Sequence, residues 1–174
     1  MHINIFGASC SGVTTLGKNL AQRLGYPYFD GDDYFWLKTE VPFTERRPSA
    51  ERNELINQHL SEHQNWILGG SVINWQQSWQ FDLSVFLYIP RHIRVQRLMA
   101  REQERYGNII HTDPARNKIY NEFIDWASGY DDNTTQGRTL SAHQNWIKTR
   151  KEPVLIIDGD RTVEERIDLI LSKM

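Results

Sequence analysis

Short apolar runs alternate along the chain with segments whose apolar residues recur every three or four positions. His2 to Phe6 reads as a strand, and a glycine-rich stretch follows it. In residues 13–24, Leu16, Leu20 and Leu24 fall four apart on one helical face. Gly25 ends that helix and Pro27 bars its continuation. Tyr28-Phe29 opens a second short strand that runs into Asp30. Residues 48–63 are helical in pattern, with Pro48 suited to a first turn. Trp66-Ile67-Leu68 is a third strand, stopped by Gly69-Gly70. Leu83 to Ile89 is apolar nearly throughout, as a strand covered on both faces should be, and Pro90 ends it. Residues 91–105 read as helix, 106–137 as a polar stretch with a helical island at 115–128, and Val154 to Ile157 as the last strand. Thr162-Val163-Glu164-Glu165 forms a capping box that opens a C-terminal helix.

Strands alternating with helices predict an α/β fold: a five-stranded parallel sheet with helices on both faces. There is no internal repeat and no low-complexity stretch, so residues 1–174 are read as one domain, with polar flaps at 38–65 and 106–137. The length of 174 residues is enough for one sizeable core. Twenty basic against 22 acidic residues leave a net charge of −2, which argues against a globally basic nucleic-acid binder. No apolar run reaches the ~18 residues of a bilayer span, and the N-terminus lacks the pattern of a signal peptide. The single cysteine, Cys10, excludes an internal disulfide and a cysteine-rich metal site. The expectation is a soluble, cytoplasmic protein, monomer or homodimer, with neither nucleic acid nor membrane as partner.

The chemistry concentrates after the first strand. Gly7-Ala8-Ser9-Cys10-Ser11-Gly12-Val13-Thr14-Thr15 meets the phosphate-loop spacing at Gly7, Gly12 and Thr14, but Val13 stands at the lysine position. Glycines permit the tight turn, the following helix adds its positive end, and the Thr14 hydroxyl can ligate Mg²⁺. The plain alternative is a glycine-rich strand-to-helix turn. A missing lysine calls for another cation, with Lys18 or arginines from the lid as candidates. Asp30-Gly31-Asp32-Asp33 follows the second strand. If the strand continues, Asp30 and Asp32 face one crevice, Asp30 beside Mg²⁺ and Asp32 toward an acceptor, with Asp33 as substitute if the register shifts. The alternative is a helix cap and turn. On the helix after the fourth strand, Arg97, Arg101 and Arg105 form a stripe four residues apart. Such arginines can stabilise a transferring phosphoryl group, or can simply be solvated. Arg138 is a further candidate. His59 and His63 have no third metal ligand and read as surface.

These pieces, in this order, resemble the adenylate kinase-like branch of P-loop kinases, which includes shikimate kinase and gluconate kinase. The resemblance covers essentially the whole chain. Phe29-Asp30-Gly31-Asp32-Asp33 looks like the acidic element of those kinases. Trp66-Ile67-Leu68-Gly69-Gly70-Ser71 is similar to the strand whose glycine-rich end holds the acceptor, which implicates Gly70. Arg97-Leu98-Met99-Ala100-Arg101 resembles the opening of the lid, and Ile156-Ile157-Asp158-Gly159-Asp160-Arg161 the loop that cradles adenine. Arg46, Arg47 and Arg52 lie where the fold places an acceptor flap; any of them can hold an anionic acceptor or remain solvated. The DDYFW-like and WILxGS stretches also resemble bacterial proteins labelled as adenylate kinase or related kinases. The resemblance implies a three-layer P-loop NTPase fold with a mobile lid at 106–137.

The resulting expectation is an ATP- and Mg²⁺-dependent phosphotransferase acting on a small-molecule acceptor. Residues 7–15 would bind nucleotide, Thr14 and Asp30 the metal, and Asp33, Gly70 and Arg47 the acceptor. Asp32, Arg97 and Arg101 would be catalytic. The rival is a nucleotide-binding sensor without phosphotransfer, which Val13 favours.

Overall fold

The computed structural model describes all residues, Met1–Met174. Five strands, β1 (His2–Gly7), β2 (Tyr28–Asp30), β3 (Trp66–Gly69), β4 (Leu83–Tyr88) and β5 (Val154–Asp158), form one sheet in the order β2-β3-β1-β4-β5. Every pairing is parallel. The central β1 therefore has β3 on one side and β4 on the other. The chain departs from β1 toward one half of the sheet and later returns to the other half. That switch point opens a crevice at the carboxyl end of β1.

The sheet is covered on both faces because its strands alternate apolar sets. Ile3, Ile5, Ile67, Val85, Leu87 and Ile157 meet Leu16 and Leu20 of α1 (Val13–Leu24) and Ile167 and Ile170 of α8 (Val163–Leu171). On the opposite face, Trp66 and Leu68 meet Tyr34 of α2 (Gly31–Phe35), Ile56 and Leu60 of α3 (Ser49–Ser61), and the Val72–Phe81 segment. Phe6 and Phe86 there meet His143 edge to face, and Phe6 meets Trp146 likewise, both from α7 (Leu140–Lys148). Burying each such aliphatic side chain contributes roughly 1.5–3 kcal/mol.

Three local expectations need correction. Asp30 ends its strand: its side chain accepts from the Asp32 amide and caps α2, so Asp32 and Asp33 sit in a helical first turn instead of on a strand. The segment 106–137 is largely helical, with α5 (Ile109–Thr112) preceding α6 (Pro114–Ser128). Asp113 caps α6 through the Arg116 amide and Pro114 sits in its first turn, so the expected island begins one residue earlier. Helix α7 has no counterpart in the sequence reading. Thr139 caps it through Ala142, and its buried position is a histidine, which hides the apolar period.

The helix after β4, α4 (Arg91–Tyr106), carries the arginine stripe. A further arginine of that helix, Arg94, is fully buried; it donates to the Ile89 carbonyl at 2.9 Å, pairs with Asp131 and lies over Tyr130. Arg94 fastens the end of α6 to the β4–α4 junction. Met1 to Met174 contain no helix long and apolar enough to cross a membrane.

Candidate active site

The loop joining β1 to α1 lies in the crevice. Gly12 adopts φ 94° and Cys10 φ 60°, both left-handed, and the Ser11 amide donates to the Ala8 carbonyl at 3.1 Å. At Gly7 a Cβ would come within 2.5 Å of Ser11 Oγ and 2.6 Å of the Leu87 carbonyl, so only glycine permits this close passage. Ala8 and Ser11 are buried, and Ser11 Oγ has no partner. Burial raises the pKa of the Cys10 thiol, against the opposing charge of Arg101. Thr14 and Thr15 are exposed at the start of α1, where first-turn N–H groups lack intrahelical partners. Val13 packs against the core shared by α1 and α8.

Neither named substitute lysine nor lid arginine reaches the loop by hydrogen bond. Lys18 is exposed. Instead Arg166, from α8, lies under the loop at 3% exposure and donates Nη1–H to the Ser11 carbonyl at 3.1 Å. Its Nη2 is 3.5 Å from Asp160, which also accepts from Arg97 at 2.6 Å. Arg97 thus turns to the loop after β5 and not to the mouth of the phosphate loop.

Beside α1, the Asp30 carboxylate gathers three donors. Thr14 Oγ1 donates at 2.8 Å and the Tyr28 hydroxyl at 3.1 Å to one oxygen, while the Asp32 amide donates to the other at 3.1 Å. The Tyr28 ring lies between Gly17 and Gly69, where a Cβ on either would overlap it. Burial, and next the Asp30 charge, hold the Tyr28 hydroxyl protonated far above its ordinary range. The Thr14 hydroxyl and the Asp30 carboxylate, two hard oxygen groups side by side, are of the kind that suits Mg²⁺. No group of three or more His, Cys, Asp or Glu side chains is gathered as a metal site anywhere in the chain.

Asp32 is exposed at the crevice, yet surrounding protein partly desolvates it and raises its pKa. Arg138 opposes that rise, Asp30 and Asp33 add to it, and Arg101 opposes it. A carboxylate near two guanidinium groups and two other carboxylates is an arrangement that can orient a nucleophile and accept its proton. Arg101 lies 3.6 Å from Glu102 and 5.8 Å from the Phe123 ring. Buried Glu102 is also 3.9 Å from both Arg105 and Arg116, so one carboxylate gathers three arginines from α4 and α6. Arg138 stacks over Trp126 and makes no ion pair.

At the end of β3, Gly70 takes φ 113° and lies against Gly31. Buried Asn4, read only as part of a strand, donates to the Leu68 and Gly70 carbonyls and secures that turn. Arg47 is already engaged, donating to the Tyr34 carbonyl at 3.0 Å and to Glu51 at 2.5 Å. Arg46 lies over Phe35 and Trp36. Arg52 differs: it is 5% exposed, stacks 4.2 Å over Trp75, and bonds only Asn53. Burial lowers its pKa, and no carboxylate neutralises it. His59 is not a free surface residue, because its Nδ1 bonds the Tyr34 hydroxyl at 2.8 Å.

A buried chain ends at the same turn. His143 Nδ1 lies 2.6 Å from the Tyr130 hydroxyl, and its Nε2 lies 3.0 Å from Ser71 Oγ. Tyr130 has no other acceptor for its proton, which assigns Nδ1 as acceptor and Nε2–H as donor to Ser71. The Ser71 hydrogen is then free for a ligand. Burial, aided by Arg138, lowers the His143 pKa to about 3, so the ring stays neutral.

A family model described as an AAA domain (AAA_18) matches residues 3–125. The chain belongs to that family. The Bacillus subtilis protein described as "Uncharacterized protein YqaC" is 39% identical over 173 residues, spanning 98% of this chain and 96% of that one. A "Probable gluconokinase" of Xenopus tropicalis is 27% identical over 136 residues, covering 63% of this AAA-family chain and 72% of its own. The crystal structure of shikimate kinase from Bacteroides thetaiotaomicron superposes with a TM-score of 0.56 at 20% identity, over 100% of this chain and 99% of that one. The protein has the P-loop kinase fold and is related to small-molecule kinases.

Proposed function

We propose that this AAA-family protein transfers a phosphoryl group from ATP to a small-molecule acceptor that carries both a nucleophilic oxygen and an anionic group. The observation that carries this reading is the Asp30–Asp32 corner. One carboxylate joins the Thr14 hydroxyl to the cap of α2, and that cap holds the second carboxylate at the crevice with Arg101 and Arg138 near it. A simple nucleotide sensor has no use for the second carboxylate.

Residues 7–15 would seat the nucleotide phosphates, with loop amides and the start of α1 facing them. Thr14 and Asp30 would hold Mg²⁺, which when bound neutralises charge on the phosphate oxygens. Asp32 orients the acceptor oxygen and takes its proton. Arg101 and Arg138 bring positive charge to the transferring group. Arg52 is the better seat than Arg47 for the acceptor's anion, because a buried guanidinium without a carboxylate is rarely left unpaired. Gly70 and Ser71 present a backbone turn and a free hydroxyl to the rest of the acceptor. Lid closure over these groups would exclude water.

The second reading, nucleotide sensing without transfer, is favoured by Val13, whose side chain turns into the core. Asp32→Asn separates the two. Phosphotransfer from MgATP to a panel of sugar acids, nucleosides and nucleoside monophosphates should fall by about 10²-fold or more, as removal of a general base does. Nucleotide affinity should stay within about two-fold. No turnover by the unaltered protein with any acceptor would remove the kinase reading and leave the sensor.

A further inference from the structure

We propose that Arg166 supplies the phosphate loop, from beneath, with the positive charge that a lysine at position 13 would supply from above. The inference rests on nucleotide binding at residues 7–15 and assigns the charge that such binding lacks. Arg166 stands 155 positions from the residue it touches, and its Nη1 donates to the Ser11 carbonyl at 3.1 Å. A Cβ on Gly12 would lie 2.9 Å from the same nitrogen, so the guanidinium sits directly against the peptide that precedes Val13.

A neutral side chain could make that single hydrogen bond, so the hydrogen bond does not explain a buried charge. Nor does ion pairing. Asp160 is the one carboxylate in contact, at 3.5 Å, and it is bound more closely by Arg97, at 2.6 Å. Two guanidinium groups therefore share the one carboxylate they contact, so the Arg166 charge is only partly matched there. Glu165, held by Thr162 in the α8 capping box, keeps its charge, but its pull on Arg166 is weaker than the repulsion from Arg97. Arg166 Nε is buried without a partner. Burial lowers the Arg166 pKa, against the smaller opposing pull of Asp160. An under-neutralised buried cation is costly on its own and becomes favourable once an anion occupies the adjacent cradle. It adds to the positive end of α1 at the same place. Arg166 is a positioning and electrostatic residue and makes no contact with the reacting atoms.

This arrangement predicts a graded effect. Calorimetric titrations with AMP, ADP and ATP, each with Mg²⁺ at fixed ionic strength, would be compared for the unaltered protein, Arg166→Gln, Asp160→Asn, and the double variant Arg166→Gln/Val13→Lys. Arg166→Gln should weaken ATP by roughly ten-fold, the scale of a unit charge several ångströms away at intermediate dielectric, with ADP weakened less and AMP least. Val13→Lys in the same chain should restore most of the ATP affinity. Asp160→Asn, a half-exposed change, removes the shared carboxylate and should tighten ATP several-fold. Equal weakening of all three nucleotides by Arg166→Gln, or no rescue by the lysine, reduces Arg166 to a structural strut and overturns the proposal. If Arg166→Gln does not fold, Asp160→Asn decides, and unchanged or weaker ATP binding overturns it. An unaltered protein that binds no nucleotide defeats the underlying reading as well.

Discussion

Asp30 and His143 show how much depends on where single protons and lone pairs go. Asp30 accepts from Thr14, Tyr28 and the Asp32 amide together. An asparagine offers one acceptor oxygen in place of two and loses the charge. Asp30→Asn should therefore abolish most of the additional thermal stabilisation that Mg²⁺ gives over ATP alone, measured by parallel melts with and without the metal. His143 sets a pH dependence. The unfolded imidazole takes its proton near 6.5 and the folded one near 3, because burial penalises the charged ring. Between these values the unfolded chain binds more protons, so stability falls as the pH falls from 6.5 toward 3 and is unaffected above. The limiting slope is about 1.4 kcal/mol per pH unit. Urea unfolding at pH 7.5 and 5.0 should show that loss, and His143→Gln should shrink the difference between the two pH values.

Among the elements, the loop between β1 and α1 is the least tolerant. Its geometry depends on the passage of Gly7 under the Leu87 carbonyl, a backbone atom that cannot swing aside. Gly7→Ala should destabilise by about 1–3 kcal/mol through overpacking, read from the denaturation midpoint, and should weaken nucleotide binding in the fraction that remains folded. Helix α8 shows the reverse case, a boundary visible in the residues. Its capping box forms as read, with Thr162 and Glu165 bonding each other's backbone N–H. Helix α7 shows why some elements stay hidden. Its inward position is His143, which only the rings of Phe6, Phe86 and Tyr130 turn into a core residue.

On the scale of the molecule, the segment 38–65 reaches α4: Arg105 lies 5.6 Å over the Phe43 ring. Glu102 links that contact to Arg101, whose charge acts on Asp32 at the crevice. Ligand binding there should couple to global stability. At ~100 times its dissociation constant a ligand adds ~2.7 kcal/mol, a rise in Tm of roughly 5–10 °C for a chain of this size. Thermal melts with 1 mM ATP and Mg²⁺ should show such a rise, and GTP in its place tests base preference. Absence of any shift would indicate that the loop is a turn without a ligand.

The five strands, the longer helices α1, α3, α4, α6 and α8, the parallel sheet and the loop at the end of β1 were legible because short apolar runs, a leucine spacing of four and glycine punctuation are local properties of the chain. Gly7, Thr14, Asp30 and Asp32 were legible as candidates for the same reason: their chemistry is written in adjacent letters. The geometry that separates candidates from bystanders is not local. Asp30 had to be seen as a cap before the placement of Asp32 on α2 could be understood. Arg47 and Arg52 look equivalent in sequence, yet Glu51 and the Tyr34 carbonyl occupy one, while burial over Trp75 leaves the other unpaired. Arg166 is an ordinary charged letter in a terminal helix until the fold carries α8 under the phosphate loop. Burial and pairing are properties of a position in space, and they decide which charges in this protein are available to a ligand.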